Sequence, residues 1–135
     1  MSFLAGIVIA LVVSLSATVV GFDKDRVFYP TLLAVIASYY GLFAVMSGSA
    51  QAILAESFAI AGFLGAAVLG FKRGLWVVVA ALLAHGIFDF FHGRFISNSG
   101  VPVWWPMFCL AYDVTAGIYL AWLLYRQELS NRLTK

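Results

Sequence analysis

Five ionisable side chains interrupt otherwise apolar stretches of this sequence, and their types are those that bind metals or carry protons. They are Glu56, His85, Asp89, His92 and Asp113. At about 100° per residue of α-helix, Asp89 lies about 40° from His85, and His92 lies about 20° to its other side. The three side chains therefore share one narrow stripe, which predicts that they face a common site.

The chemistry that this set favours is metal binding. Two imidazoles with two or three carboxylates suit Zn²⁺, and also Mn²⁺ or non-haem iron. We expect His85 and His92 to be metal ligands, with Asp89 or Asp113 as the third. A carboxylate left over among Asp89, Asp113 and Glu56 would orient a ligand or act as a general base. Zinc is the favoured cofactor, because a catalytic zinc lets its bound water ionise near neutral pH, which suits hydrolysis.

The stretches that must position these side chains are too apolar for an ordinary soluble domain. Of the 135 residues, 64% are hydrophobic and only 10% are charged, whereas soluble domains are about 25% charged. The mean hydropathy is +1.01. Because soluble proteins rarely expose so much apolar surface, the sequence predicts an integral membrane protein with a single transmembrane domain over residues 1–135.

Charged and small polar residues divide the chain into five apolar runs of 18 to 21 residues. A helix needs roughly 20 residues to cross a hydrocarbon core about 30 Å thick. The runs are continuous rather than alternating, which favours helices over strands. We therefore predict an all-α membrane bundle of about five transmembrane helices, over residues 3–20, 27–46, 50–70, 74–92 and 106–125.

The basic residues predict the orientation of this bundle. With five spans, seven of the eight fall on one side, and only Arg94 falls on the other. Basic loops stay in the cytoplasm, so the N-terminus is predicted outside and the C-terminus inside. The same topology places the five ionisable side chains in the outer half of the bundle. The seven basic residues are Lys24, Arg26, Lys72, Arg73, Arg126, Arg132 and Lys135.

Several functions remain open for these side chains. An Asp at the centre of a membrane helix costs about 2.5–3.5 kcal/mol on insertion scales, so five such groups must pair, bind a cation or line a wet cavity. The favoured function is a metal-dependent membrane hydrolase acting on a lipid-like substrate. The alternatives are a purely structural polar network, a proton, ion or small-ligand carrier, and an accessory subunit of a larger membrane complex.

The remaining features concern partners and packing. The basic residues are scattered at helix ends, which excludes a nucleic-acid footprint. The third helix is rich in small residues, which predicts close packing in the bundle or a homodimer. Trp104 and Trp105 are expected to anchor the outer interface. Tyr40 is expected to pack, and the alternative is a hydrogen bond into the site. Cys109 is expected to be a small apolar filler, and the alternative is a soft metal ligand.

The last third of the chain resembles a known family. The segments His-Gly-Ile-Phe-Asp-Phe-Phe-His at residues 85–92, Gly-Val-Pro-Val-Trp-Trp-Pro at 100–106 and Phe-Cys-Leu-Ala-Tyr-Asp at 108–113 carry the resemblance. The family comprises small bacterial multi-pass membrane proteins and is described only as a domain of unknown function. It implies a bacterial inner membrane and stresses His85, Asp89, His92 and Asp113. A looser similarity to ceramidase-like membrane hydrolases implies that histidine–aspartate zinc sites can work in lipid.

Overall fold

Five long helices make up the computed structural model, which describes residues 1–133. Each helix is long and apolar enough to cross a membrane. A short 3-10 turn at Phe22–Lys24 follows the first of them, and no strand occurs within the described residues. The prediction of an all-α chain with five helices is confirmed. The helices are α1 (Ser2–Val20), α2 (Phe28–Ser47), α3 (Ala50–Arg73), α4 (Leu75–Phe95) and α5 (Trp105–Leu133).

Short turns connect the first four helices. α1 and α2 end at Gly21 and Gly48, whose φ values of 92° and 68° lie in the left-handed region that glycine adopts without strain. The side chain of Ser49 caps α3 by accepting a hydrogen bond from the Ala52 N–H at 3.2 Å. Gly74 alone separates α3 from α4. These tight ends make consecutive helices run in opposite directions.

Three helices extend further than the hydropathy pattern predicts. α3 continues to Arg73, α4 to Phe95 and α5 to Leu133, where the apolar runs end at residues 70, 92 and 125. Polar residues such as Arg, Gln and Glu are good helix formers, so leaving the apolar run does not end the helix. Lys135, one of the seven basic residues, lies outside the described part of the chain.

The bundle buries its ionisable groups and exposes many of its apolar ones. α5 packs against α1 and α4, and α3 packs against α2 and α4. The five ionisable side chains of the predicted site are each at most 2% exposed. Large apolar side chains such as Leu54, Phe58 and Ile87 are more than half exposed. This distribution is the reverse of a soluble protein and matches a surface that faces lipid.

The small residues of α3 are only partly used for packing within the chain. Ala67 and Gly70 are buried, and a Cβ atom at Gly70 would meet the Val78 side chain of α4. Gly62 and Gly65 have no atom within 4 Å of such a Cβ. The homodimer that this helix suggests therefore stays a prediction.

Gly6 allows the close approach of α1 to α5. A Cβ atom there would collide with the backbone oxygen of Phe108 and lie 2.9 Å from the Ala111 Cβ. We expect Gly6→Ala to lower the free energy of unfolding by about 1–3 kcal/mol, because backbone atoms must move apart. Denaturant titration in micelles measures the loss. Gly62→Ala is the matched control and should not destabilise the protein, so equal losses would contradict this packing.

Candidate functional site

A histidine and two aspartates meet between α4 and α5. We call His85, Asp89 and Asp113 the histidine–aspartate cluster. His85 Nδ1 lies 2.7 Å from Asp113 Oδ2 and 3.3 Å from Asp89 Oδ2. His85 and Asp89 occupy consecutive turns of α4, as their spacing predicts, and α5 supplies Asp113. One ligand atom from each residue falls within 4.8 Å of the others, so this cluster could hold a metal ion.

Several carboxylate oxygens of this cluster have no hydrogen-bond partner. His85 Nδ1 has a single hydrogen to donate, and the shorter distance assigns it to Asp113. Both oxygens of Asp89 and Oδ1 of Asp113 are buried without a partner among the described residues. Buried polar atoms left in this way are costly and rare. A bound cation would satisfy these oxygens, so the donor set fits a metal.

Glu56, His92 and Asn98 form a second centre. We call these three residues the glutamate–histidine cluster. His92 Nε2 lies 2.7 Å from Glu56 Oε1. The Asn98 side-chain amide donates to the same oxygen at 2.9 Å and to the Tyr40 carbonyl oxygen at 3.3 Å. The Gly100 N–H in turn donates to Asn98 Oδ1 at 3.1 Å. The loop between α4 and α5 is thereby tied to α2 and α3.

The structure thus divides the predicted single site into two. His92, expected as a ligand, and Glu56, expected as an orienting group or base, lie outside the metal-capable group of described residues. The physical reason is the rise of the helix, since seven residues span about 10.5 Å along its axis. His85 and His92 share a stripe but contact different carboxylates, those of Asp113 and Glu56. The assignment of His92 as a metal ligand stays a prediction.

Aromatic rings separate the two clusters. The Tyr40 ring stacks on His92 with centroids 4.2 Å apart and lies 6.3 Å from His85. Phe88 lies 6.3 Å from His85 and 5.6 Å from His92. Phe63 meets His85 edge to face at 4.5 Å. The buried Tyr40 hydroxyl lies near the Asp89 carboxylate without completing a hydrogen bond, so Tyr40 packs, as expected, but points its hydroxyl into the histidine–aspartate cluster.

Asn98 is the site residue that sequence reasoning did not single out. It lies in the loop between α4 and α5, where no helical periodicity applies. The sequence signal it gives is an asparagine in a loop, two residues before Gly100. Such a pattern is typical of turns in general. Its role depends on contacts with Glu56 and Tyr40, which lie far away in the sequence.

An apolar cavity of about 520 Å³ lies between α1, α2 and α5. We call it the aromatic cavity, because Tyr39, Trp104, Trp105, Phe108 and Tyr112 are among the residues that line it. Cys109 also lines it and lies outside the metal-capable group. Trp104 is half exposed, whereas the Trp105 indole N–H is buried without a partner in the described range. The volume of the aromatic cavity is in the range of small-molecule binding sites.

The fold and the site indicate a membrane protein with a potential metal site, and comparison with known proteins adds no relative. The chain has five apolar helices long enough to cross a membrane and a buried His/Asp/Asp group that could hold a metal ion. No protein-family model, curated protein or solved structure matches it. The resemblance of residues 85–113 to a bacterial membrane family therefore stays a prediction.

Proposed function

We propose that this chain is a multi-pass membrane protein that binds a divalent metal ion at the histidine–aspartate cluster and hydrolyses a lipid-like substrate. The observation that carries the proposal is the convergence of His85, Asp89 and Asp113, with ligand atoms within 4.8 Å of one another. Each of the three is at most 1% exposed. Ligand-capable groups are brought together in an apolar bundle at considerable cost, which a bound cation offsets.

The exposed apolar surface supports the membrane location. The asymmetric distribution of basic residues supports an N-terminus outside and a C-terminus in the cytoplasm. In that orientation both clusters lie in the outer half of the bundle. The resemblance of residues 85–113 to small bacterial membrane proteins supports the bacterial inner membrane.

We keep zinc as the favoured metal, with manganese or iron as alternatives, and a set of one imidazole and two carboxylates can bind any of the three. Catalytic zinc sites use three protein ligands and keep one position open. The two-histidine, one-carboxylate triad of non-haem iron would need a second imidazole, and His92 is engaged by Glu56 instead. A metal bound here would polarise a substrate carbonyl as a Lewis acid.

The protein side chains then have distinct roles in hydrolysis. Asp113 would bind the ion through its unpartnered Oδ1, while its Oδ2 accepts the hydrogen bond of His85 and so fixes the ring's orientation. Asp89 has two unpartnered oxygens, so it can bind a cation through one and accept a proton from water through the other. Glu56 acts from the neighbouring cluster by holding His92 and Asn98 in place.

The aromatic cavity supports a lipid-like substrate. Its wall includes Cys109 and Tyr112, which lie one turn and one residue before Asp113 on α5. The apolar lining suits an alkyl chain, and the unpartnered Trp105 indole N–H could donate to a carbonyl oxygen of the ligand. An acyl chain in this cavity would bring its ester or amide close to the α5 face that carries Asp113.

The metal content of the purified protein tests this proposal. We expect about one equivalent of divalent metal per chain by elemental analysis, and release of fatty acid from ester- or amide-linked lipids that stops after chelation. A well-folded protein that contains no metal and takes up none when titrated with zinc, manganese and iron(II) would contradict the proposal.

The arrangement of the two clusters favours one alternative, a proton carrier. His85, Tyr40 and His92 follow one another along the bundle, with ring centroids 6.3 and 4.2 Å apart. Ionisable groups within membrane helices also serve proton pathways. A metal-free protein with pH-dependent proton flux in liposomes, abolished by Asp89→Asn, would support the carrier in place of the hydrolase.

A further inference from the structure

A second cavity, distant from both clusters, lies at the opposite end of the bundle. Its volume is about 550 Å³. The 3-10 turn after α1, the start of α4 and the second half of α5 surround it. We call it the basic cavity, because Lys24, Arg26 and Arg126 line it.

The basic cavity has an excess of positive charge. Its lining includes three cations and one carboxylate, that of Asp23. Asp23 accepts a hydrogen bond of 2.5 Å from the Thr18 hydroxyl, which lies 2.9 Å from the Tyr119 hydroxyl. Within residues 1–133 the ion pairs of 4.0 Å or less all involve histidine, so the three cations have no carboxylate partner there. The cavity therefore favours an anion.

Leucine side chains form the other wall of the basic cavity. Leu75, Leu120, Leu123 and Leu124 line it beside the cations. Leu120 is 2% exposed and belongs to the hydrophobic core, and the other three pack against that core. The Arg126 guanidinium lies over the Trp122 ring at 4.9 Å, which holds this cation beside α5. A ligand that fits both walls combines an anionic group with an alkyl chain.

We propose that the basic cavity binds the phosphate headgroup of an anionic phospholipid, with an acyl chain along the leucine wall. Arg and Lys bind phosphate through charge-assisted hydrogen bonds, and basic cavities between membrane helices bind anionic headgroups. Inorganic phosphate would use the cations but leave the leucines without a partner. The inference rests on the membrane location proposed above and is independent of the metal site.

Lipid retention by the full chain tests this site. The protein is placed in nanodiscs of equal phosphatidylglycerol and phosphatidylcholine, and its bound lipids are counted by native mass spectrometry. The cavity variant is Lys24→Ala/Arg26→Ala/Arg126→Ala. The matched control is Lys72→Ala/Arg73→Ala/Arg132→Ala, which removes the same charge from residues that do not line the cavity. All six side chains are exposed, so both variants should fold.

We expect the wild type and the control to retain phosphatidylglycerol in preference to phosphatidylcholine, and the cavity variant to lose this preference by about tenfold or more. Equal losses in both variants would overturn the proposal in favour of general surface charge. An absence of preference in the wild type would also overturn it. The proposal would also be overturned if inorganic phosphate stabilised the lipid-free protein as much as phosphatidylglycerol does. Metal content measured on the same samples separates a failure here from a failure of the metal site.

Discussion

Replacing Asp113 by asparagine is expected to lower metal affinity by more than about 100-fold, since loss of an outer-shell partner alone costs 10–100-fold. Asparagine has nearly the same volume, and its side-chain oxygen can still accept the hydrogen bond that His85 Nδ1 donates at 2.7 Å. The variant should therefore keep its fold and lose its ion. Competition with a fluorescent chelator measures the affinity, and elemental analysis measures the occupancy.

The two histidines of α4 provide a matched control for this prediction. Both are at most 2% exposed, and each bonds a carboxylate at 2.7 Å. His85→Gln should reduce metal affinity as Asp113→Asn does, whereas His92→Gln should leave it nearly unchanged. Equal losses from the two glutamine variants would show that His92 is a ligand after all. A normal metal content in Asp113→Asn would remove that residue from the ligand set.

Replacing Glu56 by leucine should destabilise the protein by about 3–5 kcal/mol, the usual cost of removing one partner of a buried pair. Glu56 Oε1 accepts from both His92 and Asn98, so its loss leaves the buried His92 donor and one N–H of the partly buried Asn98 unsatisfied. The loop between α4 and α5 loses its bond to α3 at the same time. Denaturant titration in micelles measures the free energy of unfolding, and limited proteolysis reports on the loop.

Glu56→Gln is the control, because the amide keeps an oxygen that accepts hydrogen bonds in nearly the same place. We expect its loss of stability to be less than half that of Glu56→Leu. Equal losses in the two variants would mean that the charge of Glu56 matters more than its hydrogen bonds. Full stability in Glu56→Leu would mean that the glutamate–histidine cluster does not support the fold.

The number and type of the helices are predictable from the sequence, because in lipid the backbone must satisfy its own hydrogen bonds. A continuous apolar run of about 20 residues then has few solutions other than a helix. The placement of His85 and Asp89 on one face of α4 is equally local, since it depends only on the helical repeat. The 3.3 Å distance between their side chains agrees with that prediction.

The division into two clusters is not predictable from angles alone, because it depends on how helices rotate and translate against each other. Two close approaches set that geometry. Gly86 lets α5 approach α4 at the site, since a Cβ atom there would lie 3.4 Å from the Asp113 Cβ, and Gly100 lies so close to Phe43 that a Cβ atom would collide with its carbonyl oxygen. The second contact brings Asn98 over Glu56. No periodicity in the sequence indicates either contact.

The complete burial of the histidine–aspartate cluster limits how quickly a bound metal ion can exchange with solvent. Asp89 and Asp113 are 0% exposed and His85 is 1% exposed, with the rings of Phe63 and Tyr40 close beside the histidine. An ion would reach these ligands only when helices separate locally, and a substrate carbonyl would need the same opening, so ion exchange and hydrolysis would both follow the opening rate of the bundle. Loading and chelation of the folded protein would therefore both be slow, and each would need incubation for longer than the bundle takes to open.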